Sequence, residues 1–488
     1  MCFPHVDDTT RATLLSIMEE ADNYADFTER LCERVCAEES PPLLEYLAVF
    51  FAFHVEWYAL IDRLHSCGKV SHLAKPIWLL VRGRRGESIR WDEMKPAMQS
   101  ALSISPNDWI TCHLYLAWRF KAEILYPDAD VDIRPIDAIA ANVNENSDLE
   151  FFNAYLLQFE ALGYLREYKV TEALAKLEQA LAVARKFDDQ ILVVDYLLDL
   201  ASNIKHTDAQ KGLQLFAQLK EIAGELGYRD RIGYANQQLG HMKGIRGEMD
   251  AAIESQIEYK KIRESLGLPT EYLSSVIAFL YNQIGNGTKA YEYAKIVLDF
   301  EDSVLRHLSY TRVQLCWALI NLGRFDEAKP ELAAAQTIAN KSGDSNQIMW
   351  VRLVEGILDK EEGRFESAID CFDEVLSFTA EYPIPIFQSM CLLNLTEIEI
   401  EMLIDASLKE GSEISGPWMK RLFDHAEKND LPGIAARAKL LKAELYSRQG
   451  RSREAKKLLK EVHKTSKNPS MRYLQDIAVS MFPEIISS

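Results

Sequence analysis

Three aspartates, Asp128, Asp130 and Asp132, alternate in PDADVDIRP, the spacing at which an EF-hand loop begins to gather oxygen ligands for calcium. The rest of that loop is missing: Ile133 stands where a glycine must make the turn, and Ile139 where a bidentate glutamate belongs. A solvated turn after Pro127 is expected instead. His65, Cys67 and His72 bring nitrogen and sulfur close together, but HSCGKVSH reads as a turn between helices and lacks a recognised ligand spacing. Cys32 and Cys36 share a helix face without a second pair. Neither metal nor cofactor is expected. The chain contains no G-x-x-x-x-G-K-[ST] phosphate loop, no H-E-x-x-H helix and no G-x-S-x-G elbow. No catalytic residue is assigned, and the expectation is a protein that is not an enzyme.

The elements around these residues are set by a repeat. Gly247 and Ala252, Gly285 and Ala290, Gly323 and Ala328, Gly363 and Ala368, and Gly450 and Ala455 recur at a fixed five-residue offset. The first four copies are spaced about 38 to 40 residues apart, a period that marks stacked helix pairs. Seven residues before each glycine sits a small residue: Gly240, Ala278, Cys316, Gly356 or Ala443. Two antiparallel helices approach closely only where both present small side chains, and the glycine ends the first helix in a left-handed conformation. Leu315, Leu319, Val351, Val354 and Leu358 recur at helical intervals as a core stripe that only a neighbouring pair can cover.

Gly356, Gly363, Phe365, Ala368 and Phe372, followed by Cys316, Gly323, Phe325, Ala328 and Leu332, resemble the tetratricopeptide repeat. That family places small residues at two helix crossings and an aromatic just after the turn. The period here exceeds the family's usual 34 residues, and most copies lack its closing proline. The resemblance implies an all-α, right-handed α-solenoid of stacked antiparallel pairs. Ala161, Ala173 and Gly212 extend the pattern toward the N-terminus, and a further pair is expected from Trp109 to Leu125 and Ile136 to Val143. The expected organisation is therefore an N-terminal helical cap or degenerate repeat over 1–69, an array of about ten pairs over 70–466, and a C-terminal capping helix within 467–488. The first segment reads as three helices, one of them running from Pro41 to His65. The stretch from Leu408 to Trp418, LKEGSEISGPW, reads as an irregular loop.

Charge and composition limit the partners. With 48% apolar and 26% charged residues the chain is of a folded, soluble kind, and its formal net charge of −19 argues against a nucleic-acid backbone as ligand. The eight cysteines form no C-x-x-C pair, which reads as reduced thiols in the cytoplasm. MCFPHVDDTT shows no secretory signal. The most membrane-like run, Leu43 to Ile61, carries Glu45, His54 and Glu56, so a buried helix rather than membrane insertion is expected. From Arg437 to Arg472 twelve Lys or Arg face three acids, which makes this end about +9 and the remainder about −28. That end is a candidate for docking an acidic partner or the acidic middle of a second copy.

Eighteen residues before the alanine of successive repeats stand Tyr155, Tyr234, Tyr272, Tyr310 and Trp350. In the tetratricopeptide family the first helices line the concave groove, so the resemblance implies an aromatic ladder able to contact a bound peptide. Equally, these rings can wedge between neighbouring helices as packing. The function expected is a protein-interaction scaffold that binds a peptide or protein. The alternative is a sensing module that changes superhelix shape on binding a ligand.

Overall fold

A computed structural model describes residues 7–70, 74–84, 94, 96–97, 153–166, 169–205, 208–298, 305–381, 385–407 and 416–482. The three aspartates, the pair expected between residues 109 and 143, His72, and residues 408–415 of the irregular loop lie outside them. Among the described residues every regular element is helical.

The chain divides into two compact units, residues 1–238 with 261–269, and residues 239–260 with 270–488. The first unit contains α1 (Asp8–Glu20), α2 (Tyr24–Ala37), α3 (Pro42–His54), α4 (Tyr58–Ser66) and α5 (Lys75–Arg84). The hairpin of α6 (Asn153–Arg166) and α7 (Val170–Lys186) follows, then that of α8 (Gln190–Ile204) and α9 (Ala209–Leu226). Ala161 and Ala173, the small residues expected at the α6–α7 crossing, are fully buried.

The expected helix from Pro41 to His65 is two helices. Nothing in AFHVEWY announces a turn, yet the chain reverses at Val55–Trp57 with Glu56 in the left-handed region at φ 52°. A non-glycine residue is rare there; the Glu56 amide donates to the Phe53 carbonyl at 3.0 Å and the Trp57 amide to the Ala52 carbonyl at 2.8 Å, closing the helix end, and the Glu56 side chain is engaged from further off. The Glu56 carboxylate lies 3.1 Å from the Arg231 guanidinium, which also meets Asp195 at 2.8 Å and Asp230 at 2.7 Å. The reversal lets Tyr58 and Ile61 join Leu47 and Phe51 in one buried cluster. Each such side chain contributes about 1.5–3 kcal/mol when fully buried, enough to offset the strain of one left-handed residue. The N-terminal segment consequently holds four helices rather than three.

The second unit begins within α10 (Arg229–Ile245) and α11 (Met249–Ser265). It continues through the hairpins α12 (Glu271–Gln283) with α13 (Gly287–Leu298), α14 (Leu305–Asn321) with α15 (Phe325–Ser342), and α16 (Ser345–Glu361) with α17 (Phe365–Glu381). The last are α18 (Pro385–Ser407) with α19 (Pro417–Lys428), and α20 (Pro432–Arg448) with α21 (Ser452–Ser466), closed by α22 (Tyr473–Met481). Consecutive helices pack in series, and first helices also meet first helices of the next hairpin, as α14 does α16.

The repeat explains this packing. Gly247, Gly285, Gly323, Gly363 and Gly450 all take positive φ, between 71° and 83°, where an ordinary residue costs about 1–2 kcal/mol. Every paired alanine, Ala252, Ala290, Ala328, Ala368 and Ala455, is fully buried. A Cβ on Gly356 would lie 2.8 Å from the Phe372 ring and 3.0 Å from the Cys371 Cβ, and one on Gly240 would lie 2.4 Å from Ser255. Small residues are thus required where first and second helices cross, which is tetratricopeptide-like packing.

Within this unit the stack curls back on itself. The Gly433 amide donates to the Arg246 carbonyl at 2.9 Å, and the Tyr473 hydroxyl donates to the Gly247 carbonyl at 2.8 Å. A Cβ on Gly433 would sit 2.3 Å from the Gly247 oxygen. The first turn of the unit therefore rests backbone to backbone on its last hairpin.

Candidate functional site

The first helices carry the aromatic ladder, and its members fall into different settings. Tyr155 on α6 is half-buried in the first unit's core, where burial pushes its phenol well above the ordinary range, with Tyr196 and Asp189 adding to the effect. The Tyr234 hydroxyl on α10 lies 3.2 Å from the Ser202 hydroxyl. Tyr272 on α12 is 51% exposed. Tyr310 on α14 and Trp350 on α16 come together, their ring centroids 5.4 Å apart and nearly perpendicular.

These last two belong to a larger aromatic cluster. Phe279 from α12 meets the Trp350 ring at 5.1 Å, Phe387 from α18 meets it at 4.5 Å, and Trp317 lies 6.2 Å from Phe279. Four consecutive first helices are joined in this way, with Trp350 as the common member. Edge-to-face pairs of this type contribute about 0.5–1.5 kcal/mol beyond the area they bury. Polar bonds hold the same helices in register: Ser275 and Thr311 hydroxyls lie 2.7 Å apart, and the Asn282 side chain donates to the Gln314 carbonyl at 2.9 Å.

Further along the first helices lies a cavity of about 510 Å³. Its apolar wall comes from Phe365, Ile398, Leu440, Leu441, Ile477 and Met481, and its charges from Lys360, Glu361, Glu397, Glu401, Arg437 and Glu444. Trp350 and Glu361 are eleven residues apart on α16, and Phe387 and Ile398 eleven apart on α18. That is about three helical turns, so the aromatic cluster and the cavity share a face, roughly 16 Å apart along the axes.

The cavity's electrostatics follow from burial and pairing. Burial by itself would raise the Glu397 carboxyl, but the Lys360 ammonium beside it outweighs that and holds it below the ordinary carboxylate range. Lys360 also lies 3.1 Å from Glu361. Glu444 goes the other way. Burial pushes its carboxyl up, Glu397 and Glu401 push it further, and Arg448 only partly compensates. Arg448 also reaches Glu401 at 2.7 Å, and the Arg437 guanidinium donates to the Gln283 carbonyl at 3.5 Å. Such a site can seat an apolar side chain while its carboxylates and guanidinium meet main-chain amides and carbonyls.

One arrangement has the order of a nucleophile, base and orienter. The Ser389 hydroxyl lies 2.9 Å from His425 Nε2, and Asn429 lies 3.2 Å from His425 Nδ1. Ser389, however, is 1% exposed in the body of α18 and does not line the cavity. Its bond fastens α18 to α19. Of the residues considered for metal binding, Cys32 is buried with its thiol 3.8 Å from the Ala48 carbonyl, and His65 stacks on Trp78 at 4.3 Å. Among the described residues no group of three or more His, Cys, Asp or Glu side chains is placed to hold a metal.

Sequence reasoning did not single out Phe279, Trp317 and Phe387, nor Lys360, Glu361, Glu397 and Glu401 of the cavity. Phe279 and Trp317 directly follow the small residues Ala278 and Cys316 in their repeats, which is a readable signal. The alternating TEIEIE of α18 offers a weaker one, because alternating charge on a helix ordinarily reads as a solvated face.

No protein-family profile matches the chain, and no curated protein matches it. Solved structures with a similar arrangement include aspartyl phosphate phosphatase F from Bacillus subtilis, at 15% identity and a TM-score of 0.40, over 82% of this chain and 95% of that one. A signal-transduction ATPase with a tetratricopeptide repeat sensor from Pyrococcus horikoshii is 12% identical, with a TM-score of 0.39, over 92% of this chain and 73% of that one. The quorum sensor NprR from B. thuringiensis is 12% identical, with a TM-score of 0.33, over 80% and 97% respectively. The architecture of this chain rests on its own helix packing.

Proposed function

We propose that this chain is a non-catalytic interaction scaffold that binds a peptide, or an extended segment of a protein, along the first helices of its second unit. The observation that carries this reading is the cavity: apolar walls and charged groups converge there, on the helix face that also carries the aromatic cluster. Extended peptides are held by main-chain hydrogen bonds and by pockets for selected side chains, and both are offered here. Tyr272, Tyr310 and Trp350 are the proposed ladder contacts in this unit, with Tyr272 the most exposed of the three. Tyr155 and Tyr234 are the corresponding proposed contacts of the earlier repeats. The free cysteines accord with a cytoplasmic setting. No described helix is long and apolar enough to cross a membrane.

A sensing role is favoured by one observation. Helices α20 and α22 line the cavity, and they also carry Gly433 and Tyr473, which hold the first turn of the unit. A ligand that moves these helices would loosen or tighten that contact, with a change in the shape of the unit.

The test is selection of random peptides on the immobilised full chain, followed by titration against Met481→Trp, which fills the cavity from its edge. The reading predicts a selected peptide that binds the native chain and loses at least tenfold in affinity for the substituted one, with helical content unchanged. Failure to select any peptide, or equal binding by both chains, would overturn it.

A further inference from the structure

The second helices of the last three hairpins, α17, α19 and α21, carry an ordered sequence of charge. Helix α17 holds Glu366, Asp370, Asp373, Glu374 and Glu381 and no basic residue. Glu374 is engaged by Arg352 at 2.7 Å. Glu366, Asp370 and Asp373 are exposed and, among the described residues, have no cation within ion-pair distance. Helix α21 is the reverse. Its two acids are taken by cations off the stripe, Glu454 by Arg451 at 3.2 Å and Glu461 by Lys439 at 2.8 Å. Arg453, Lys456, Lys457, Lys460 and Lys464 are exposed and, among the described residues, make no ion pair within 4 Å, although Arg453 acts on Glu454 and Lys457 on Glu461 at longer range. Between these helices in chain order, α19 exposes both signs, with Lys420 and Arg421 near its start and Glu427 and Lys428 at its end.

The two unpaired sets match in spacing. Glu366, Asp370 and Asp373 fall at i, i+4 and i+7, and so do Arg453, Lys457 and Lys460, with Lys464 one turn further. Each set therefore forms a narrow stripe on one helix face, about 10 Å long on α17 and about 16 Å on α21. A like-charged stripe left unpaired raises the energy of the isolated chain, and an opposed stripe of the same period relieves it.

We infer that this outer face docks a second copy of the chain about a two-fold axis passing over α19. Such an axis lays α21 of each copy along α17 of the other, so both contacts form twice, as an isologous interface requires. It also turns α19 against its symmetry mate, bringing the basic start of one near the acidic Glu427 of the other. The surface is polar and its ion pairs are exposed, so the dimer is weak and sensitive to salt.

Sedimentation equilibrium and charge reversal test this. At about 100 µM protein and low ionic strength the native chain shows a concentration-dependent doubling of mass that disappears near 0.5 M salt, where the Debye length falls to about 4 Å. Reversing α21 (K456E, K457E, K460E and K464E) abolishes the doubling, and so does reversing α17 (E366K, D370K and D373K). Mixing the two reversed proteins restores it, because each then offers what the other lacks. All substitutions are on exposed positions, and unchanged thermal unfolding confirms the fold. A native chain that stays monomeric at low salt would overturn the inference, as would reversed variants that dimerise like the native chain or a mixture that does not dimerise. Binding of duplex DNA by the α21 stripe with no dimer would assign the stripe to a different partner and equally refute the inference.

Discussion

Tyr310 and Trp350, forty residues apart in the chain, meet edge to face with their centroids 5.4 Å apart. One repeat thereby places its ladder ring against that of the next. Trp350 is also in contact with Phe279 and Phe387, so its removal leaves three partner rings facing a void. Trp350→Ala is expected to destabilise the second unit by about 3 kcal/mol. Tyr272→Ala, at an exposed rung, is expected to cost less than about 1 kcal/mol. Urea unfolding followed by circular dichroism checks the contrast.

Glu399 caps a helix that lies beyond the irregular loop. Its carboxylate accepts from the Trp418 amide at 2.9 Å and the Met419 amide at 2.8 Å, satisfying the start of α19. Glu399→Ala is expected to cost about 1–2 kcal/mol. Gly416→Ala attacks the same contact from the other side, since its Cβ would fall 1.9 Å from the Glu399 Cδ. The two substitutions are expected to be strongly non-additive, because the second removes a bond the first has already broken. A double-mutant cycle of unfolding free energies measures this.

Two glycines separate local strain from long-range closure. Gly323 has φ 71° and open space around it, so Gly323→Ala is expected to cost about 1 kcal/mol through backbone strain alone. Gly433 has ordinary φ, but its Cβ would lie 2.3 Å from the Gly247 carbonyl oxygen. Gly433→Ala is expected to cost about 3 kcal/mol and to accelerate amide exchange at Gly433 and Tyr473. Equal costs at the two sites would contradict the curled arrangement of this unit.

His54 makes the first unit sensitive to acid. Burial pushes its imidazole down to about 4, against a smaller upward pull from Asp189. Because the folded value lies below the unfolded one, the unfolded chain binds more protons between about pH 6.5 and pH 4. Stability is therefore fully present above pH 6.5 and is lost as pH falls through that window, by about 3 kcal/mol in all. His54→Phe is expected to flatten the dependence, as read from urea midpoints at pH 7 and pH 4.5.

What the sequence disclosed and what it hid divide along a physical line. The glycine, alanine and small-residue pattern was legible because each position answers to a local demand: a left-handed turn at Gly363, a close crossing at Gly356 and Ala368. The break at Glu56 was not, since no glycine marks the turn and the cation its carboxylate meets, Arg231, lies 175 positions away. The same holds for Gly433, whose requirement for glycine comes from curvature accumulated over several hairpins. The cavity was hidden for a related reason. Lys360, Glu397 and Glu444 come from three different helices, and their burial exists only once those helices are stacked.

Amide hydrogen exchange on the full chain, with and without a selected peptide, tests the central reading most directly. Binding along the first helices predicts protection centred on the last turns of α16 and the middle of α18 and α20, around Lys360, Glu397 and Leu440, and extending along the first helices toward Trp350, Tyr310 and Tyr272. Protection confined to the outer helices α15, α17 and α21, or none anywhere in the second unit, would contradict it.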